Sequence, residues 1–259
     1  MDVATILAVL ASGGVIGAIL GLVGGGGSIL AVPLLIYAVG MRSPHAAIGT
    51  AAVAVAANAL LGLAGHARAG TVKWPCAIVF AFAGVGGAAI GAELGKAFDG
   101  KRLLMLFGLL MIGVGLSMLR GRRTAEAPDI RLTTVNAGRL LSRLVPIGLA
   151  VGLAAGFFGI GGGFLIVPGL MLATAMPIRN AVGTSLVVIT ALGLTTAASY
   201  TVSGLVDWRI AGLLVLGGVA GAIAGIALGR RLGAHKGLLE RLFAILVITV
   251  GGYVAIVGG

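Results

Sequence analysis

Two runs of glycine carry the only chemistry that this sequence repeats: Gly24, Gly25, Gly26 and Gly27 followed by Ser28, and Gly159, Gly161, Gly162 and Gly163 around Ile160. Glycine lets the main chain itself approach a ligand closely. Each run lies within apolar sequence, and after each a new helix can start, near Ser28 and near Phe164. The first N–H groups of a helix have no partner inside it, and the helix dipole adds positive potential there. Two such starts form an anion cradle that needs no charged side chain. The competing reading is that these glycines only allow helices to cross tightly. A dinucleotide-binding fingerprint is excluded, because it needs an acidic residue about 20 positions on, and none lies between Asp2 and Glu93.

Few polar residues interrupt the apolar segments, which makes each informative. Thr50, Asn58, Thr184, Ser185 and Thr190 follow the glycine runs and complete the candidate substrate site. For Thr50 and Thr184 an N-cap or interhelical hydrogen bond is an equal alternative. Arg42, His45 and Arg179 precede the same segments, where they could draw an anion to the mouths or be ordinary loop charge. Carboxylates are almost absent from the apolar segments; Glu93 lies inside one, with Lys96 three residues on, a spacing that lets the two neutralise each other on one helix face. No cluster of His, Cys, Asp and Glu has metal-ligand spacing, and no nucleophile–base pair is visible. Neither metal, cofactor nor catalysis is expected. Cys76 is the only cysteine, so no disulfide within the chain can form.

The elements that must hold these residues follow from composition. Of 259 residues, 59% are hydrophobic and 10% charged, with 47 glycines and a mean hydropathy of +1.17. A soluble globule of this size could not clothe its surface with so few charges. The net charge of +11 is spread in small groups between apolar runs, as in the loops of a membrane protein rather than on a nucleic-acid-binding face. A start at Met1-Asp2 without a basic stretch predicts no cleaved leader. With about 20 apolar residues needed per crossing, the candidate segments are Val3 to Val23, a shorter Ser28 to Val39, Ala46 to Ala64, Trp74 to Leu94 and Leu103 to Leu119. After them come Leu144 to Phe158, Phe164 to Met176, Ala181 to Val202, Ile210 to Leu228 and Leu238 to Val257. Between the two sets the chain is polar, with six arginines from Arg120 to Arg143. The expected organisation is a first transmembrane repeat over 1–119, an arginine-rich cytoplasmic linker over 120–143 and a second repeat over 144–259.

The halves are copies. GLVGGGGSILAVPLL at Gly21 to Leu35 aligns with GFFGIGGGFLIVPGL at Gly156 to Leu170, 135 positions on. After a one-residue slip the register continues at 134: Gly49 and Thr50 fall on Gly183 and Thr184, Gly70 and Trp74 on Gly204 and Trp208, and Gly87 and Gly91 on Gly221 and Gly225. Chance does not hold such a register across three segments. Glycines four apart, at Gly13 and Gly17 and again at Gly217, Gly221 and Gly225, predict close helix packing. If each half crosses the membrane an odd number of times, 13 of the 18 Lys and Arg residues share one side; an even number divides them nine and nine. The positive-inside rule therefore selects inverted repeats with both termini outside. The expected fold is all-α: a polytopic membrane protein of two homologous inverted repeats, each of four to five helical segments, with glycine-broken or re-entrant helices. Such repeats recur in secondary transporters that bind substrate between their halves.

The stretches GLVGGGGSILAVPLLIYAVGMRSPHAAIGTAAVAVAANAL and GFFGIGGGFLIVPGLMLATAMPIRNAVGTSLVVIT each hold clustered glycines, a following proline and a later Gly-Thr. In this the chain resembles the TauE/SafE sulfite exporter family of membrane permeases, over nearly its whole length apart from the arginine-rich loop. The resemblance implies a multi-pass permease of the bacterial inner membrane, usually counted as eight spanning helices, that exports sulfite, sulfoacetate or similar organosulfonates. The family pattern falls on Gly24, Gly26, Gly27 and Pro33 and on Gly159, Gly161, Gly162 and Pro168, with Ile160 departing from it. Electrically, an anion leaving a negative cytoplasm gains about 2.3 kcal/mol per charge per 100 mV, so export needs no coupled ion. Alternatives are an anion channel with the same cradle, an importer of a sulfur oxyanion, and a non-transporting assembly partner whose glycine strips are docking faces. The partners expected are a small anion and the lipid bilayer, with no nucleic acid; a homo-oligomer stays open.

Overall fold

The computed structural model describes residues 2–23, 25–120, 137–159, 163–231 and 236–257, and all its regular elements within them are helical. Helix α1 is Val3–Val23. A composite α2 follows, made of a 3-10 stretch Gly25–Leu30, an α turn Ala31–Pro33 and a π-helical stretch Leu34–Ala38. Then come α3 (Pro44–Arg68), α4 (Trp74–Ala97), α5 (Gly100–Leu119), α6 (Ala137–Phe158), α7 (Gly163–Thr174), α8 (Ile178–Val202), α9 (Trp208–Arg231) and α10 (Lys236–Val257). Among the described residues seven of these are long and apolar enough to cross a membrane, while the apolar spans in α2, α7 and α10 (Gly27–Ala38, Gly163–Thr174 and Arg241–Val257) are shorter. The chain is a polytopic all-α membrane protein. Helix α6 starts at Ala137 rather than at Leu144, taking Arg139 and Arg143 into its first turns. The remainder of the expected linker, residues 121–136, lies outside the described residues.

Local sequence sets the helix ends. Ser43 caps α3 by accepting from the Ala46 N–H at 3.3 Å, with Pro44 in the first turn. Asp99 caps α5 and Asp207 caps α9, each carboxylate accepting two backbone N–H groups of the following turn. Helices α3 and α8 stop at glycines in the left-handed region, Gly70 (φ +65°) and Gly204 (φ +69°). Each end is closed in the same way: the Thr71 N–H donates to His66 and the Leu205 N–H to Tyr200, both carbonyls of the last turn. After α2 and α7 the chain again needs a positive φ, met by Gly40 at +82° and by Ala175 at +56°, which are equivalent positions of the repeat.

The most extensive helix packing runs across the halves. The closest pairs are α1 with α9, α4 with α6, α5 with α10 and α3 with α8. The glycine strips serve as expected. A methyl group on Gly17 would lie 2.0 Å from the Gly218 carbonyl oxygen, and one on Gly152 would lie 2.1 Å from that of Gly84. In the repeat register these two contacts are the same contact. So are Gly221 against Gly14 and Gly87 against Leu149.

The facing residues also give helix directions. Gly49 meets Tyr200, Gly193 meets Ala56, and Gly62 meets Leu186, so α3 and α8 run antiparallel. Gly108 meets Ala255 and Gly115 meets Ala244, so α5 and α10 do too. Helices α1 and α9 run parallel, as do α4 and α6. Helices at matching places of the two halves, α3 with α8 and α5 with α10, thus point in opposite directions. Helices α2 and α7 double back on the helices before them: Gly27 lies against Ile16 and Leu20, and Gly169 against Val151 and Ile147. Each half thus runs in five segments, one of them short.

Candidate functional site

The doubling back places the glycine breaks inside the protein. Gly27, Ser28, Gly159 and Gly163 are all buried, and the 3-10 stretch of α2 packs directly on α7. The two broken segments therefore meet each other, one from each half. Gly159 turns the chain at φ +63° with Ile48 against it, so closely that a methyl group there would collide with the Ile48 side chain. Gly25 and Gly26 open the 3-10 stretch. Gly24, Gly161 and Gly162 lie outside the described residues.

The depth of the site follows from register. Since Gly49 faces Tyr200 and Gly62 faces Leu186, the antiparallel α3–α8 pair is centred on Asn58 and its repeat equivalent Leu192. Asn58 sits against Gly218, Gly218 against Gly17, and Gly27 against Ile16 and Leu20 on the neighbouring turn of α1. At about 1.5 Å rise per residue, the start of α2 lies within a helical turn of the Asn58 level. Asn58 is 6% exposed, and its Oδ1 has no hydrogen-bond partner. In the other half Leu192 occupies the equivalent place, packed on Gly84.

The hydroxyl residues divide. Thr50 and Thr184 are fully buried, and each accepts a backbone N–H from the interhelical link of the opposite half: Asp207 N–H to Thr50 Oγ1 and Lys73 N–H to Thr184 Oγ1, both at 3.0 Å. The preceding glycines admit those links, Gly49 facing the Leu205 carbonyl and Gly183 facing Thr71. The Gly-Thr pairs are thus crossing points between halves, the interhelical alternative of the sequence reading. Ser185 and Thr190 donate their single hydroxyl protons to the carbonyls of Val182 and Leu186, at 2.8 Å each. In this arrangement neither has a proton left for an anion.

The basic residues of the mouths lie at opposite ends. Arg42 and His45 stand at the start of α3, Arg42 exposed and His45 Nε2 buried without a partner. Arg179 is exposed at the start of α8, the end shared with the link after α3.

The Glu93–Lys96 pair expected from the sequence joins α4 to α8 through a polar cluster whose α8 members the sequence did not point to. Glu93 Oε1 lies 2.7 Å from Lys96 Nζ and accepts from Ser199 Oγ at 2.8 Å, while Lys96 Nζ donates to Ser203 Oγ at 2.9 Å. The same ammonium stands 5.9 Å from the centre of the Tyr200 ring. Tyr200 and Thr196 are fully buried, and neither hydroxyl has a partner. One signal could have found it: the repeat equivalents of Thr196, Ser199 and Ser203 are Gly62, Gly65 and Ala69, so these polar groups are not duplicated with the scaffold. A cavity of 310 Å³, lined by Gly113, Leu116, Ser117 and Arg120, lies apart from both regions at the arginine-rich end of α5.

The family model described as sulfite exporter TauE/SafE matches residues 9–254. A probable membrane transporter protein of Xylella fastidiosa (strain 9a5c) is 49% identical over 98% of this chain and 96% of its own length. The probable membrane transporter protein YunE of Bacillus subtilis (strain 168) is 30% identical over 92% of both. A further Bacillus subtilis protein of the same description, YdhB, is 31% identical over 81% of this chain and 84% of its own. No solved structure matches the chain.

Proposed function

Because this chain belongs to the sulfite exporter TauE/SafE family of membrane transporters, we propose that it carries a small oxyanion, such as sulfite or an organosulfonate, out of a bacterial cell across the inner membrane. The observation that carries this reading is the meeting of α2 and α7 at the level of Asn58. The main-chain amides opening those segments hold the anion from both halves. Asn58 adds an amide that can turn its NH2 toward the same solute. Thr50 and Thr184 hold the two halves in register beside it, and Gly159 lets the second break approach Ile48. The arginine-rich end faces the cytoplasm, where it raises local anion concentration. Exchange between the halves then opens the site to alternate sides.

Tracer flux in proteoliposomes tests this. Sulfite, sulfoacetate, taurine and sulfate are offered to wild-type protein and to Asn58→Leu, which copies Leu192. Saturable flux with counterflow is expected for at least one sulfur oxyanion. Replacing the amide should cut it about tenfold or more, the cost of losing one hydrogen bond to a charged group, with thermal stability kept. Non-saturating flux indicates a channel. No anion flux, or an unchanged Asn58→Leu, overturns the reading.

A further inference from the structure

The Glu93–Lys96 cluster lies about 12 Å from the centre of the α3–α8 pair, since Tyr200 is eight residues beyond Leu192 at about 1.5 Å each. It faces the end opposite the arginine-rich loop, and the buried hydroxyl of Thr196 lies about halfway in. This hydroxyl is unlike its neighbours: Thr190 and Thr195 fold theirs onto carbonyls of the preceding turn, while Thr196 makes no such bond. Lys96 is 17% exposed, whereas the Glu93 that neutralises it is 66% exposed. A lysine whose side chain is largely covered is therefore satisfied by a carboxylate that is free to leave. The equivalent α9–α3 position is not a full copy: Ala227 stands in place of Glu93, Arg230 in place of Lys96 and His66 in place of Tyr200.

We propose that Lys96, with the hydroxyls of Thr196 and Tyr200, forms an exit site for the transported oxyanion, and that the Glu93 carboxylate fills it until the anion displaces it. This rests on the anion-carrier reading above. Carboxylate, sulfite and sulfonate are alike in accepting hydrogen bonds from ammonium and hydroxyl donors. The exposed partner gives way readily because ion pairs at a wetted surface are weak. No bond is made or broken in the exchange. The anion takes over Lys96, and the carboxylate turns outward while Ser199 and Ser203 stay with the helix end.

Proteoliposomes of one orientation, with sulfite as the probe, separate the half-saturation concentration at this face from that at the arginine-rich face. Lys96→Gln is expected to raise the value at this face about tenfold and to leave the other unchanged. Glu93→Gln, which removes the competing charge, lowers it. Thr196→Val and Tyr200→Phe, nearly the same shape as the native residues, raise it while the protein stays folded. Lys96→Gln acting equally at both faces or at neither, or Glu93→Gln failing to lower the value, overturns the exit site. A wild-type protein that passes no sulfite and no other oxyanion fails the carrier reading instead.

Discussion

At one end of the molecule the link Thr71–Lys73 lies on Gly183 and Thr184 of the other half; at the opposite end Leu205–Asp207 lies on Gly49 and Thr50. The two crossings share donor, acceptor and the 3.0 Å distance, and each follows a left-handed glycine that ends the preceding helix. Midway between them the likeness stops. Asn58 faces Gly218, while Leu192 faces Gly84. Towards one face only, Glu93 and Thr196 add polar groups whose repeat equivalents, Ala227 and Gly62, have none. Frame contacts must be identical for two inverted copies to interlock, because each half supplies the other's groove. Groups that touch a solute or set its route need not obey that symmetry. Single-copy polar residues on a duplicated frame are therefore the places to look for transport.

The largest test of the symmetric part is in the glycine strips. Gly17→Ala and Gly152→Ala each drive a methyl group into backbone, at 2.0 and 2.1 Å from a carbonyl oxygen. No side chain can move aside, so each should cost about 3 kcal/mol. Thermal unfolding in detergent should show equal losses; one tolerated substitution would break the equivalence of α1–α9 and α6–α4.

A smaller effect is expected at the crossings. Thr50→Val and Thr184→Val each leave one half-buried backbone N–H without its acceptor, at about 1–3 kcal/mol. The same unfolding measurement should give matching values. A loss at only one crossing would mean that the other link is held by something else.

Smallest is the pair Gly40 and Ala175, where the same positive φ is met by different residues. Ala175→Gly should stabilise by about 1 kcal/mol and Gly40→Ala should destabilise by as much, since a side chain is disfavoured there. Nothing lies within 4 Å of where the Gly40 methyl group would sit, so the backbone alone decides. Opposite signs at the two positions would sharpen the view that the halves share one path while differing in strain.

Ten helical segments, two of them broken, could be read from composition and glycine placement, because apolar length and chain breaks are local properties. Val3–Val23 and the ends at Leu119, Phe158, Val202 and Val257 fall where the apolar pattern ends. The start of α6 did not, since Arg139 and Arg143 are good helix formers whose charge disguised them as loop. In the candidate site the glycine breaks and Asn58 were legible by being polar or flexible in apolar surroundings. The use of Ser185 and Thr190 was not, because a hydroxyl can bond to its own helix or to a ligand with no change in sequence.

By itself the sequence determined a membrane-embedded all-helical chain and the places where helices must stop, since each depends on neighbours along the chain. Only the tertiary structure decided that α1 joins α9 and α6 joins α4, that the Gly-Thr pairs hold the opposite half, and that Glu93 and Lys96 meet Ser199, Ser203 and Tyr200. Those are contacts between residues more than sixty positions apart. Spacing along the chain carries no record of them; they exist once two copies pack head to tail and bring distant polar groups to one depth.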